Sequence, residues 1–573
     1  MNPNNLPVFT RFAECQDCYK CVRGCPVKAI KVEEHHASII PDLCIHCGHC
    51  VDICPVEAKR VRDDLHKLKI NLSLNKKIVI SLAPAWRSEF PGLRKEQMIS
   101  ALKLLGITEV SETALGAEEV NRHLTDYLKD ATGVKISTAC PTIVELVQKY
   151  YPDLIESLSP MDSPLMAHSK ILREYYGNDY VIGFIGPCIS KKVESDKFPD
   201  NVAFAITFKD LHRFFEERKI NPYLLDVSEG VDFSPRSAQE GTLYPIEGGM
   251  IDTLQIVGDN NYQSYAISGT EEIMKLFDDL LKNGVEKNIF IETLSCKGGC
   301  INGPGCVKGK PYLLKEVEII ENNPYVGKRT LGKSVVDIKQ DYVQQPMLAE
   351  KGNGLSIADV FKTIGKNRPE DEKNCGGCGY NTCREFAQAI IDGKAEASMC
   401  VSYLRTLAQK KTNALFRTIP SGVIIVNKDL IIQDSNANFF NVLGLNDQFG
   451  TDSMDLEGAQ LDKMINFTGM FKKVLEEGND ILDKELRFGS KYLKISIFSI
   501  EKHALVGAVI QDITVPSTAR EHTIMQAKKV INKNLDMVQK IAYLLGENAA
   551  EVEIALDSVI DLSKINQAED ISK

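Results

Sequence analysis

Between residues 75 and 345, short continuous apolar runs alternate with segments of helical spacing. Ile78-Val-Ile-Ser-Leu82 ends in Ala83-Pro84-Ala85 and predicts a buried strand running into a loop. Val181-Ile-Gly-Phe-Ile185 predicts a second strand, delivering Cys188. Ser100-Ala-Leu-Lys-Leu-Leu-Gly106 and Ile143-Val-Glu-Leu-Val-Gln-Lys-Tyr-Tyr151 space their apolar positions as helices, the latter leaving a Cys140-Pro141 turn. Strands alternating with helices predict an α/β domain with its site at the strand ends. Further on, Tyr492–Ser499 and Ala504–Ile513 read as strands of a smaller domain. From residue 516 to 573 the period becomes seven. Ile524, Ile531, Val538, Leu545, Val552 and Val559 form one series; Leu535, Ala542, Ala549 and Leu556, after Lys528, fill the other. That repeat predicts a signalling or coiled-coil helix, with Gly546 as a weak point and packing on the preceding domain as the alternative.

At 573 residues the chain is expected to hold several domains. Together the elements predict a multidomain protein of mixed α/β and α+β class. No run of ~18 apolar residues occurs, so no membrane span is expected. The start, Met1-Asn-Pro-Asn-Asn, lacks the charged and apolar parts of a signal sequence, and a cytoplasmic location is expected. A net charge of −10 argues against nucleic acid as a partner.

The 17 cysteines change the picture most. In a reducing compartment, clustered cysteines read as metal ligands before disulfides. Cys15-x2-Cys18-x2-Cys21-x3-Cys25-Pro26 is followed by Cys44-x2-Cys47-x2-Cys50-x3-Cys54-Pro55. This is the spacing of bacterial two-cluster ferredoxins, in which the fourth cysteine of each run serves the other cluster. Residues 1–65 are thus predicted to hold two 4Fe-4S centres. One takes Cys15, Cys18, Cys21 and Cys54; the other takes Cys44, Cys47, Cys50 and Cys25. Such a pair moves single electrons; zinc is the alternative.

Five further cysteines lie between 140 and 306. Cys140 and Cys188 sit in Ser137-Thr-Ala-Cys140-Pro141 and Gly186-Pro187-Cys188-Ile-Ser-Lys191-Lys192. Cys296, Cys300 and Cys306 sit in Glu292-Thr-Leu-Ser-Cys-Lys-Gly-Gly-Cys-Ile-Asn-Gly-Pro-Gly-Cys306. In order and separation the segments around Cys140, Cys188 and Cys296–Cys300 resemble the three signatures of the iron-only (FeFe) hydrogenases, over about residues 75–310 of a domain expected at 75–345. The resemblance implies an H-cluster: a 4Fe-4S cubane on Cys140, Cys188, Cys296 and Cys300. Cys300 would bridge to a two-iron subsite carrying CO, cyanide and a dithiolate, for heterolytic splitting of H2. Lys191 matches a lysine that hydrogen-bonds cyanide, Ala83-Pro84 a loop around the subsite, and Gly248-Gly249 a glycine pair lining the pocket. Glu119 and Ser159 match parts of a proton route. An ordinary 4Fe-4S cluster on the same four cysteines is the alternative, and Cys306 reads as a buried small side chain or a redox or proton group.

The chain departs from the family pattern. Ala139 replaces the cysteine that relays protons, and alanine carries none. Arg122 stands where a second acid is expected, Gly186 and Leu294 where methionines are usual, and Ala85 where a serine is common. Slow turnover is therefore expected.

Residues 350–405 carry Cys375-x2-Cys378-x4-Cys383-x16-Cys400, which resembles a small 4Fe-4S domain of anaerobic redox proteins, with zinc as the alternative. A linker is expected at Lys351–Gly354, and helices at Ser356–Lys362 and Asn381–Ile391. Its place in the chain suggests passage of redox state from the hydrogen site toward the C-terminal part. No cysteine follows Cys400. Residues 408–515 resemble a PAS domain. The opening Ala414–Asn438 reads as helix, turn, hairpin and polar turn, and no cofactor is expected there; His503 reads as a surface or core residue.

Three functions are weighed. One is an H2 or redox sensor: a sensory, group C-like FeFe hydrogenase of low turnover that signals through the PAS domain and coiled coil. Its partners would be H2 and protons, an electron carrier such as ferredoxin, hydrogenase maturation proteins, a second copy, and a signalling protein such as a kinase or phosphatase. The second is a catalytic, ferredoxin-linked hydrogenase. The third is a non-enzymatic redox sensor with conventional clusters. Ala139 favours the first over the second.

Overall fold

The structure, a computed structural model, describes residues 6–227, 230–255, 262–322, 334, 336–347, 354–445, 456–514, 529–530 and 533. By its contacts the chain divides into a unit ending at Cys400 and a unit beginning at Val401. Nearly all of the heptad segment at 516–573 and most of the expected linker at 351–354 lie outside the described residues. Among those described, no helix is long and apolar enough to cross a membrane.

The first unit begins with a small domain of two antiparallel strand pairs. Val8–Thr10 pairs with Lys59–Val61, and Ile30–Glu33 with His36–Ile39. The larger domain holds two all-parallel sheets. One runs in the order Glu109–Glu112, Lys77–Leu82, Tyr180–Gly186, Phe204–Thr207; the other Gln263–Ser268, Ile289–Leu294, Val134–Ile136. In Lys77–Leu82 every residue after Lys77 is buried, as a strand covered on both faces requires. The expected helices form as Lys95–Leu104 and Pro141–Tyr150. The second starts directly after Cys140, with proline at its first position, where the missing N–H costs nothing.

Every cysteine segment of this domain leaves the C-terminal end of a strand: Cys140 after Val134–Ile136, Cys188 after Tyr180–Gly186, Cys296 after Ile289–Leu294. Ala83-Pro84 does the same after Lys77–Leu82. In parallel sheets that is where chain crossovers leave room for a ligand. The third part of the unit is small. Ile357–Thr363 is capped by Ser356, and Cys383–Ile391 follows Thr382, whose hydroxyl accepts from Glu385 N.

The second unit opens with the helix Val401–Thr418. An antiparallel five-stranded sheet follows, in the order Ile432–Ser435, Gly422–Asn427, Leu505–Asp512, Lys491–Glu501, Ile481–Phe488. Numbered along the chain, that order is 2-1-5-4-3. The helices Ala437–Leu443 and Thr468–Glu477 bury Phe439 and Phe471 against Ile424, Ile495, Ile497 and Ile510. Asn436 ties the entry together: its Nδ2 donates to the carbonyls of Phe416 (3.0 Å) and Ser421 (2.9 Å), and its Oδ1 accepts from Val423 N at 2.8 Å. His503 Nδ1 bonds Leu475 O at 2.8 Å, a local anchoring role.

Candidate active site and its electron-transfer sites

Glycines decide how the third cysteine segment is held. Gly299 has φ +103°, and a Cβ there would stand 2.3 Å from Pro245 O. At Gly303 and Gly305 a Cβ would stand 2.6 and 2.7 Å from Pro187 O. No side chain fits those approaches. The loop therefore lies flat against Pro187, beside Cys188, and Gly305 N donates to Pro187 O at 2.8 Å. Lys315 locks it from beneath, donating to Ile301 O at 3.1 Å.

These constraints bring Cys140, Cys188, Cys296 and Cys300 together. Burial pushes the Cys188 thiol up to about 11, with Cys140 adding to the effect. Cys296 rises well above its ordinary value, through burial first and then the charges of Cys300, Cys188 and Cys140. Cys300 rises through burial, then Cys140 and Cys188, while Lys191 opposes the rise. Four partly buried sulfurs that repel one another as thiolates suit a cationic centre among them, and thiolate suits iron–sulfur clusters.

The other cysteines sort themselves in the same way. Cys21 is pushed up to about 11 by burial, with Cys18, Cys15 and Cys54 adding. Cys44 is pushed up to about 12 by burial, and Cys50 well above its usual range by burial and by Cys47, Cys44 and Cys25. Cys378 rises through burial, with Cys400 and Cys375 adding. Among the described residues, no three His, Cys, Asp or Glu side chains are placed to hold a single metal ion.

An apolar cavity of about 80 Å³ lies beside Cys300 and Cys188. Ala83, Pro84, Ala139, Lys191, Leu294 and Tyr244 are among its walls. Lys191 is buried; its Nζ donates to Ser163 Oγ at 2.9 Å and Glu194 Oε2 at 2.6 Å. Five sequence-derived residues thus meet at one place: Pro84, Ala139, Cys188, Lys191 and Cys300. The glycine pair differs from expectation. The wall is formed by Tyr244 and Pro245, while Gly248 and Gly249 turn the chain into the helix Gly249–Gln255. At Gly249 a Cβ would stand 1.9 Å from Leu243 O, so close backbone approach is what requires glycine there.

Neither Glu119 nor Ser159, the residues expected on a proton route, is among the lining residues of the cavity. Glu119 is fully buried and ion-paired with Arg122, and Ser334 Oγ donates to it at 2.5 Å. Ser159 Oγ is buried with no hydrogen-bond partner among the described residues. Cys306 is buried, and its thiol bonds the Glu89 carboxylate, which also accepts from Val307 N and bonds His212 Nε2, each at 3.0 Å.

Several groups escaped sequence reasoning. Glu292 opens the third cysteine segment, yet only the structure buries it; burial pushes its carboxyl up to about 8, against a hydrogen bond from Ile251 N, so it is mostly neutral at pH 7. His168 bridges Ser81 (2.8 Å) and Ser111 (2.9 Å), and burial lowers it to about 3. Ser81 in turn bonds Thr113, a wall residue, at 2.7 Å.

His46, between Cys44 and Cys47, bonds Glu145 Oε2 at 2.6 Å and joins the two domains. Burial raises the Glu145 carboxyl, but His46, Lys149 and Lys197 outweigh it and bring it to about 2, against an ordinary 4.5. A folded value below the unfolded one stabilises the fold above about pH 4.5 and loses that contribution as pH falls toward 2. The full contribution is on the order of 3 kcal/mol. Glu145→Gln is expected to flatten the stability–pH curve below pH 4.5, read by denaturant midpoints at successive pH values; an unchanged slope refutes that role.

Residues 76–304 match the family described as the iron only hydrogenase large subunit, C-terminal domain. Residues 14–58 match a 4Fe-4S dicluster domain, and residues 371–402 an Fe-S cluster family. Over 315 residues the chain is 23% identical to Iron hydrogenase 1 of Clostridium pasteurianum, covering 44% of this chain and 54% of that one. Over 424 residues it is 24% identical to the NADP-reducing hydrogenase subunit HndD of Solidesulfovibrio fructosivorans, covering 61% and 66%. The chain thus spans between half and two thirds of the length of these curated relatives. A solved FeFe-hydrogenase variant from Chlamydomonas reinhardtii aligns at 19% identity and a TM-score of 0.37, over 47% of this chain and 94% of that one.

Proposed function

From a chain that carries an iron-only hydrogenase domain over residues 76–304, we propose a hydrogen sensor of low turnover. Cys140, Cys188, Cys296 and Cys300 would hold the cubane of an H-cluster, which supplies heterolytic H2 splitting when bound. The protein's own part is positional. Lys191 stands in the cavity wall with its ammonium held by Ser163 and Glu194, and Ala83, Pro84 and Leu294 keep the walls apolar, which favours a diatomic gas. The cysteine sets at residues 15–54 and 375–400 would pass electrons.

The observation that carries the reading is Ala139. It lies in the wall of an otherwise fitting cavity, beside Lys191 and Cys300, and offers no proton-bearing atom. Glu119 is tied to Arg122, so the next station is also occupied. Such a site binds H2 and releases protons slowly. The 2-1-5-4-3 sheet of the second unit supports a PAS-type relay, whose output would be a second copy of the chain and a partner kinase or phosphatase. The catalytic, ferredoxin-linked reading requires fast proton exit, which these residues do not supply.

The test is an infrared spectrum of anaerobically matured protein under argon and then under H2. Sharp CO and cyanide bands that shift with the gas are the expected result. Their absence after exposure to working maturation proteins would favour a redox sensor with conventional clusters.

A further inference from the structure

The segment 354–400 is seated on the ferredoxin domain. Arg23 Nη1 donates to Gly377 O at 3.2 Å, and its Nη2 to Cys18 O at 3.0 Å. Lys28 Nζ donates to Gly379 O at 2.8 Å. Val32 N donates to Lys394 O at 3.1 Å, and Glu34 N to Glu396 Oε1 at 2.7 Å. Gly379 has φ +95°, and a Cβ there would stand 2.8 Å from Val22. Both neighbours of Cys378 are therefore gripped by residues at or just beyond the Cys21–Cys25 loop.

Between the two cysteine sets lies Tyr380, 5% exposed, with Lys28 Nζ 6.0 Å from its ring centre. Tyr380 directly follows Gly379, whose carbonyl accepts from Lys28 Nζ, and Ala29 N, next to Lys28, lies 3.3 Å from Cys25 Sγ. On its other side, the set Cys25, Cys44, Cys47 and Cys50 is clamped to the hydrogenase domain. Lys149 Nζ donates to Cys44 O at 2.6 Å, and Tyr150 Oη to Leu43 O at 2.7 Å. A Cβ on Gly48 would stand 2.6 Å from Pro304.

We propose that the set Cys375, Cys378, Cys383 and Cys400 is an internal redox partner of the ferredoxin domain. It exchanges one electron with the cluster on Cys25, Cys44, Cys47 and Cys50 across Lys28 and Tyr380. The donor cluster is oxidised by one electron and the acceptor reduced by one; no bond or proton moves. The shared Lys28 cation offsets the charge on whichever cluster holds the electron. Redox state thus leaves the hydrogen site through the ferredoxin domain, which forks, and does not step directly to residues 375–400. This rests on the four-iron sites alone, so it stands or falls apart from the hydrogen reading.

The test uses the full chain reconstituted with iron and sulfide, without the two-iron subsite, and reduced stepwise. Low-temperature paramagnetic resonance of the reduced protein is compared with that of the Cys378→Ala/Cys383→Ala variant. The difference spectrum, which isolates the 375–400 cluster, is expected to be split by a neighbouring reduced cluster. In Arg23→Gln/Lys28→Met, with iron content unchanged, that splitting is expected to collapse. An unsplit difference spectrum overturns the proposal, as does splitting undiminished in the second variant. Neither readout involves hydrogen.

Discussion

Replacing Ala139 by cysteine is expected to raise hydrogen turnover by ~10²-fold or more, within the usual range for a positioned acid–base group. Ala139 already lies in the cavity wall with Lys191 and Cys300, so the new thiol enters the same space. The gain is limited by the following station. Glu119 is held by Arg122 and accepts from Ser334, and a carboxylate so engaged takes a proton reluctantly. Arg122→Gln in the Ala139→Cys background is therefore expected to add a further increment, while Arg122→Gln alone adds little. The measurement is H2 oxidation with an artificial acceptor, normalised to the intensity of the CO bands. Turnover unchanged in Ala139→Cys, at equal band intensity, refutes the missing relay as the bottleneck.

The second large effect concerns stability. Lys192 stands next to Lys191 in sequence and is fully buried. Its Nζ donates to Ala205 O at 2.8 Å and meets Asp64 at 3.3 Å and Asp210 at 3.6 Å. Asp64 is also fully buried; burial raises its carboxyl, but Arg62 and Lys192 reverse that and hold it below the usual range. Removing one partner of a buried ionic group leaves charge without compensation. Lys192→Ala is expected to cost about 3 kcal/mol, the low end for such a loss, because Arg62 still grips Asp64. Denaturant unfolding followed by Trp86, the single tryptophan, reads the change in the first unit. A shift no larger than that of the exposed pair variant Lys129→Ala would show the network to be dispensable.

What could be read from the sequence was what short spacing encodes. The two ferredoxin sets follow from runs that place four cysteines within eleven residues. The strands Lys77–Leu82 and Tyr180–Gly186 and the helix Pro141–Tyr150 follow from apolar runs that match their burial. Ile481–Phe488 gave no such signal, since most of it is exposed and Leu482 points to solvent. Groups defined by tertiary burial were equally hidden. His46 and Glu145 are 99 residues apart, and Glu292 changes its proton affinity only through burial in the folded chain. The seat of residues 354–400 was hidden for the same reason: chain order placed that segment after the hydrogenase domain, whereas its hydrogen bonds run back to Arg23, Lys28, Val32 and Glu34.

The cradle at Gly48 and Gly379 bears on how such a chain can be recombined. At both positions a neighbouring module fills the space that a side chain would need, Pro304 in one case and Val22 in the other. A foreign ferredoxin module spliced in front of residue 66 would bring its cluster ligands intact. It would still need a bare backbone opposite Pro304, and apolar and cationic groups in register with Gly377 and Gly379. These three parts are therefore expected to be exchanged between genes as one block, whereas the segment after Cys400 is the natural seam for fusing a different output.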